Sequence, residues 1–488
     1  MKYVDPKQYD FSRLNENQLK IAKKDEAIFD QKFETKPVGY FQDAWIRFTK
    51  NKGSFVAAII LLLLALFSIF GPLASPWSTK TENEFHLYCL PKIHEPSNGF
   101  WDGTKRTTEP EKVYIKDKAR GSIAGEAKKA YVRDGVQYYT YLFDAYVVGF
   151  KDKDFEEKEY QEVLAYEERT GIKIFYPLLD VFYTSNTKIQ NYHGLDANNY
   201  YQVDKNLNPI YDADGNIIPI YMKDSLGEYV YYDFNGTNYS TRINYDAYYV
   251  MVHGKAPMFY FGSDNMGRDI FTRLCHGARF SLILGISVSF INILLGVIYG
   301  AIEGYYGGKI DLIMERIADI LVEIPSIILL TLFQIYLGSK WGPVPALLLA
   351  YVLTGWIGTA SRVRMQFYRF KNQEYVLAAR VLGAKDRRII FRHILPNAVG
   401  TLITSSILSI PYVIFSESTL SFLNIVDLSS GSMTSIGTML AAGQDVLATY
   451  PHVLMFPAVF ISILLITFNL FRPGLRDAFN PSLRGVEE

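Results

Sequence analysis

Between Gly53 and Ala74 the chain reads GSFVAAIILLLLALFSIFGPLA, a run apolar enough to cross a bilayer, which takes ~20 residues. Eleven of the twelve residues from Val56 to Phe67 are Ala, Ile, Leu or Val. Such a helix offers no polar face to water, so a buried helix of a soluble protein fits it poorly. Arg47, Lys50 and Lys52 flank its start, and the positive-inside rule then places the N-terminus in the cytoplasm. Five more apolar segments follow, at Phe280–Ala301, Ala318–Leu337, Pro343–Ala360, Ala398–Leu420 and Pro451–Leu470. Six spans would return the C-terminus to the cytoplasm. Charge agrees: nine Lys/Arg and only Glu374 and Asp386 lie between Arg362 and Arg392, and Arg472, Arg476 and Arg484 follow the last segment. The expected fold is an α-helical integral membrane protein of six transmembrane helices in the cell membrane.

The stretch between the first two spans is different material. Of 36 tyrosines, 24 lie from Tyr88 to Tyr260. Residues 75–265 are expected to fold outside the membrane as an inserted extracytoplasmic α+β, β-rich domain, long enough for its own core. Gly121–Arg169 reads as able to hold helices. From Gln202 onward, Ile210-Tyr211, Ile220-Tyr221 and Tyr231-Tyr232 recur at a ten-residue period, separated by DADGN, DSLGE and DFNGT. Asp-Gly and Asn-Gly turns between apolar pairs argue for hairpins. DADGN (Asp212–Asn216) has carboxylates at alternate positions but lacks the later acid of a calcium loop, so a plain turn is expected and no metal site. Cys89 and Cys275 read as free, small apolar fillers rather than a disulfide. The first apolar run starts too late for a cleaved signal and is read as a retained span. The expected division is residues 1–52 cytoplasmic, 53–74 the first span, 75–265 the insert, 266–482 the helical core with a loop at about 362–397, and 483–488 a cytoplasmic tail. Formal net charge is zero, which gives no global field for a nucleic-acid partner.

Membrane proteins usually keep cytoplasmic loops short. The loop before the fifth span instead carries EYVLAARVLGAKDRRIIFRHILP, Glu374–Pro396. A helix ending near Arg380 and then Gly383 gives a tight turn. Small residues at Ala378, Ala379 and Ala384 permit close approach of another surface. Arg387 and Arg388 open a basic amphipathic stretch that ends at Leu395-Pro396. By charge alone, such a loop could rest on anionic headgroups.

The combination resembles the "EAA" coupling loop of ABC-importer permeases, which docks on a separate ATPase. Ala378, Ala379, Gly383, Leu395 and Pro396 match that pattern, while Leu377 replaces its Glu and His393 its Ile. With Glu374 and Tyr375, the departure at Leu377 is similar to the peptide-importer branch. FGSDNMGRDIFTRLCHGARFSL (Phe261–Leu282) looks like the segment GTDxxGRDxxSRxxxGARxSL before the second span of that branch, matching at Asp264, Gly267, Arg268 and Asp269 among others, with Ser263 in place of Thr. ADILVEIPS, SESTLSFL and FNLFRPGLRDAFNP resemble further signatures, with Ile436 where the family usually has Trp. The resemblance covers about 45–75 and 261–482, not the insert. It is to the C-type permease subunit of oligopeptide/dipeptide ABC importers, a type I importer fold.

That resemblance implies a homologous B-type permease, two cytoplasmic ABC ATPases, an extracytoplasmic peptide-binding protein and a peptide substrate as partners. ATP and Mg would sit on the ATPases, with no cofactor in this chain. No GxxxxGK[ST] cradle is present; Gly254-Lys255 and Gly308-Lys309 lack its spacing. Charged residues in spans are costly and mark function or pairing. Glu417 is read equally as part of a gate or pathway and as an interhelical structural group. Asp319 is placed near the inner end of the third span, where headgroup-level solvation explains it as well as a pathway. Pro325 and Pro411 would kink their spans. Arg268-Asp269 is expected in an amphipathic helix on the outer surface. A membrane-anchored extracytoplasmic binding or enzymatic module is the competing reading. It would need a catalytic constellation, but His86, His94, His193 and His253 show no metal spacing.

Overall fold

The computed structural model describes residues 40–94, 101–179, 192–196, 199–202, 221–426, 428 and 433–479. The chain opens with α1 (Tyr40–Lys50) and α2 (Lys52–Phe70), the latter continued by a 3-10 turn to Ala74. Asn51 caps α2 by accepting from the Ser54 amide. At its other end, Arg279 donates to the carbonyls of Ser68 (3.1 Å) and Ile69 (2.8 Å). Those are the acceptors a helix C-terminus leaves unpaired.

Next comes the inserted unit. Its first sheet has the order β1-β3-β2, all antiparallel, from β1 (Thr104–Pro110), β2 (Ile123–Arg133) and β3 (Val136–Asp144), with α3 (Glu111–Arg120) between β1 and β2. The helical expectation for Gly121–Arg169 therefore fails over its first half. Asp134 and Gly135 both take positive φ, +54° and +79°, the demand of a two-residue type I′ hairpin. The Asp-Gly signal there outweighs the charged residues of β2. KDKDFE also folds as strand, β4 (Phe150–Glu156), leaving α4 (Glu157–Thr170) as the helix.

The second sheet runs β4-β9-β5, from β4, β5 (Phe175–Tyr176) and β9 (Asn238–Asn244); β8 (Tyr232–Phe234) also pairs with β9. A further pair joins β6 (Tyr192–Asp196) to β7 (Asn199–Gln202). Phe155, Tyr160, Val163, Ile174, Phe175 and Ile243 form the core between α4 and this sheet. Of the three expected turns, DSLGE is closed by Asp224, whose carboxylate accepts from the Leu226 and Glu228 amides. DFNGT connects β8 to β9. DADGN lies outside the described residues. The segment after β9 is helical, α5 (Tyr245–His253).

The remainder is helical: α6 (Ile270–Tyr306), α7 (Gly308–Val322), α8 (Ser326–Tyr336), α9 (Gly338–Trp341), α10 (Pro343–Gly355), α11 (Ile357–Phe370), α12 (Glu374–Val381), α13 (Asp386–Arg388), α14 (Leu395–Ser406), α15 (Ser409–Phe422), α16 (Ile436–Gln444) and α17 (Pro451–Phe479). Among the described residues four stretches are long and apolar enough to cross a membrane: Lys52–Ala74, Ile270–Tyr306, Pro343–Phe370 and Pro451–Phe479. Two bent pairs, Gly308–Val322 with Ser326–Tyr336 at 73° and Asp386–Gly400 with Leu402–Phe422 at 47°, bring the number to six if each is one span.

Pro325 stands at the first bend as the cap of α8. Pro411 sits in the first turn of α15. It has no N–H for the Ile407 carbonyl, and the helix breaks at Ile407–Leu408. Between α13 and α14 the backbone widens into a π-helical turn, Ile389–Ile394, just ahead of Pro396. In α17 a hydroxyl from another helix enters the ladder beside Pro473: Ser54 donates to Leu470 O (2.7 Å) and accepts from Gly474 N (2.8 Å).

Trp77, Cys89, Tyr146, Tyr249 and Phe259 make a separate core where the insert meets the helices. Both cysteines are buried and free.

Candidate functional site

The loop flagged by its sequence is a helical knob on a rigid base. Its base starts with α6, where Gly296, Gly300 and Gly304 recur every four residues along one face. A Cβ at Gly296 or Gly304 would lie within 2.6 Å of Thr359 or Phe367 atoms, and one at Gly300 would overlap the Ala360 carbonyl. Small residues at that spacing let two helices touch through their backbones. Arg364 then clamps three helices, pairing with Asp311 (2.6 Å), Glu315 (2.7 Å) and Glu303 (3.5 Å); Tyr368 also donates to Asp311 (2.6 Å). Carboxylates from α6 and α7 thus fix α11, the helix that leads into the knob.

Above the clamp, Val376, Ile389, Ile390, Ile394 and Ala398 are buried against Ala301, Tyr305, Val363 and Phe367. The Tyr305 hydroxyl donates to Asp386 (2.6 Å). Asn397 bonds the Tyr375 hydroxyl at 3.3 Å, tying α12 to α14. Between these anchors the chain turns: the Leu382, Gly383 and Ala384 amides donate to Ala378, Arg380 and Ala379 carbonyls. Gly383 takes φ +80° with nothing within 4 Å of a Cβ. Backbone conformation, not crowding, selects glycine there.

The sequence-derived residues of the loop fall into two groups. Glu374, Ala378, Gly383, Arg387, Arg388 and Pro396 are exposed around the knob, whereas Ala379, Ala384 and Leu395 are half-buried at its base. Val381 and Leu382, which the sequence reading passed over, are each 86% exposed at the tip. A Val-Leu pair directly before a turn glycine is the signal that could have found them. Arg364 was also missed, since its partners lie about 50 residues away in sequence.

Elsewhere, Glu417 is fully buried and accepts from Ser281 (3.1 Å), Ser421 (3.0 Å) and Ser418 (3.5 Å). That serine cage joins α15 to α6. Asp319 is exposed and pairs with Arg316 at 3.1 Å, far in sequence from Glu417 and Pro411. Asp264, Gly267, Arg268 and Asp269 do not form an amphipathic surface helix. Asp264 receives the Arg268 side chain (3.0 Å), the Arg273 guanidinium and the Met266 and Arg268 amides. Gly267, at φ +67°, is pressed on the Asn83 backbone. Asp269 caps α6 through the Thr272 amide (3.0 Å). Asp264 and Asp269 are each 2% exposed, so this is a buried turn. Its charges face each other, which is why a surface pattern misdescribes it.

Among the described residues no group of His, Cys, Asp and Glu has the arrangement to hold a metal ion. Residues 292–485 match the family described as binding-protein-dependent transport system inner membrane component. Residues 39–88 match the N-terminal TM domain of oligopeptide transport permease C. The chain is 44% identical to the oligopeptide transport system permease protein OppC of Bacillus subtilis over 225 residues, 46% of this chain and 72% of that protein. It is 42% identical to the dipeptide transport system permease protein DppC of the same organism, over 46% of this chain and 69% of that one. Against OppC of Haemophilus influenzae it is 39% identical, over 46% and 71%. Among solved structures, the MetNI methionine ABC transporter in an inward-facing conformation matches at TM-score 0.36 and 17% identity, over 43% of this chain and 96% of that one.

Proposed function

Because this chain belongs to the family of binding-protein-dependent transport system inner membrane components, we propose that it is the permease of an ATP-driven importer carrying oligopeptides or dipeptides. Its relatives are transport permeases, not enzymes. In this reading the chain crosses the cell membrane six times, with both termini in the cytoplasm and residues 75–265 outside. A homologous second permease completes the pathway. Two cytoplasmic ATPases bind ATP and Mg, and an extracytoplasmic binding protein delivers the peptide, with the Tyr-rich insert as its first contact.

The observation that carries the reading is the knob. Exposed Val381 and Leu382 stand on a base of buried Val376, Ile389 and Ile394. Exposed apolar residues on a rigid, basic support suit a protein socket better than a headgroup layer, which would favour the arginines alone. Closure of the ATPase pair would then move α12 to α14 as one body and, through α11 and the Arg364 clamp, tilt α6 and α7. This is two-state motion driven by differential affinity.

Leu382→Asp tests it. The side chain is 86% exposed, so the chain should express and insert normally. A hot-spot loss of roughly 2 kcal/mol or more should strip the ATPases from the purified complex and stop peptide uptake. Full ATPase recovery and uptake with Leu382→Asp would overturn the docking assignment.

A further inference from the structure

Where α1, α2 and α17 meet, Trp45, Phe48, Leu61, Phe471, Leu475 and Phe479 wall a groove of about 530 Å³. It is built rather than incidental. α1 forms its third side, held by Ala44 and Phe48 buried against Ala478 and by Arg47, which donates to the Asp477 carbonyl at 3.4 Å. Along α17 the lining runs from Phe471 to Phe479, roughly 12 Å at 1.5 Å per residue. That is about one leaflet of a ~30 Å hydrocarbon core. A single helix face is washed by exchanging lipid, but three apolar walls select one chain and one direction.

Five cations flank the lining residues in sequence, Arg47, Lys50, Lys52, Arg472 and Arg476, against the acids Asp43 and Asp477. Arg47 pairs with Asp43 at 2.7 Å and Arg476 with Asp477 at 3.4 Å. Among the described residues no carboxylate lies within ion-pair distance of Lys50, Lys52 or Arg472, all exposed. Trp45, 61% exposed, sits where aromatic rings mark the membrane–water boundary. Basic rims on apolar grooves between spans hold anionic headgroups.

We propose that this groove binds one anionic phospholipid of the cytoplasmic leaflet, an acyl chain along α17 and the phosphate against Lys50, Lys52 and Arg472. The site rests on the membrane topology proposed above. A second copy of a permease helix, or residues of this chain beyond the described ones, are the competing occupants.

The test uses native mass spectrometry of the purified transporter, and of this chain alone, after delipidation and addition of phosphatidylglycerol or phosphatidylcholine. Phosphatidylglycerol should be retained preferentially. The triple variant Lys50→Gln/Lys52→Gln/Arg472→Gln should weaken that retention on the order of 100-fold. Ala58→Trp, which fills the groove without touching charge, should abolish it, with unchanged thermal unfolding in detergent as the control for folding. Equal retention of both lipids, or phosphatidylglycerol binding that survives both variants, overturns the site. So does Leu61→Cys carrying a thiol-coupled photocrosslinker, if it captures protein instead of phosphatidylglycerol. Because this chain is also measured alone, loss of the ATPases would overturn the importer reading without touching the lipid result.

Discussion

A buried imidazole that finds no hydrogen-bond partner resists carrying charge, and His86 is such a group. It is fully buried among Tyr245, Tyr249 and Phe259, and neither ring nitrogen reaches a partner. Burial pushes its pKa down to about 4, with the backbone at Tyr146 opposing and His253 adding slightly. The folded value lies below the unfolded one, so stability is full above about pH 6.5 and is lost as pH falls from there through about 4. The shift amounts to about 3 kcal/mol at the acid end. Thermal unfolding of the solubilised chain should therefore drop between pH 7 and pH 5, and His86→Phe should flatten that slope. An identical slope in the two proteins would show that His86 is not the group responsible. The same scale explains what was legible in the knob. Ala378, Ala379 and Gly383 announce themselves by spacing. Val381 and Leu382 do not, because apolar residues are read as buried until a surface shows otherwise.

At the scale of elements, the contact between α6 and α11 decides whether the knob has a base. Its cause is the Gly296, Gly300, Gly304 stripe, and a Cβ at Gly300 would meet the Ala360 carbonyl, a backbone atom that cannot turn aside. Gly300→Val should force the helices apart at a cost of roughly 1–3 kcal/mol. It should also uncouple ATP hydrolysis from uptake, because α11 leads directly into α12. Gly358→Ala, whose Cβ meets only Arg362 at 3.7 Å, should leave both unfolding temperature and coupling unchanged. Equal behaviour of the two variants would remove the stripe's special role. The spans were legible as apolar runs, but their ends were not. α6 begins at Ile270 rather than Phe280 because Arg273 and Arg279, which interrupt the hydropathy, are satisfied by Asp264 and by the last carbonyls of α2. The third segment, expected to kink at Pro325, turns there by 73° between α7 and α8. Local hydropathy cannot see either a charge partner distant in sequence or an angle.

On the scale of the whole molecule, composition was enough to separate the insert from the bundle, since tyrosine-rich strands and leucine-rich spans are different solutions to different solvents. How the two join was not readable, because the joint is made of residues distant in sequence. Tyr88 stacks on Tyr450 at 4.4 Å and 3° between planes, and Phe261 on Phe456 at 4.1 Å and 4°. Trp101 packs against Phe456 and donates to the Tyr260 carbonyl at 2.8 Å. Each stacked pair adds roughly 0.5–1.5 kcal/mol beyond its buried area, and together they fasten the insert to the start of α17. A domain held by several such contacts moves with the helices it is fastened to. The insert should therefore ride on α2, α6 and α17 through the transport cycle rather than open as a cover. Tyr88→Cys/Tyr450→Cys, in a chain with Cys89→Ala and Cys275→Ala, should be bridged by a short bismaleimide, and the bridged transporter should import peptide within about twofold of the unbridged one. Arrest of uptake on bridging, with ATP hydrolysis continuing, would mean that the joint must part in every cycle, and that the insert works as a moving gate above the helices.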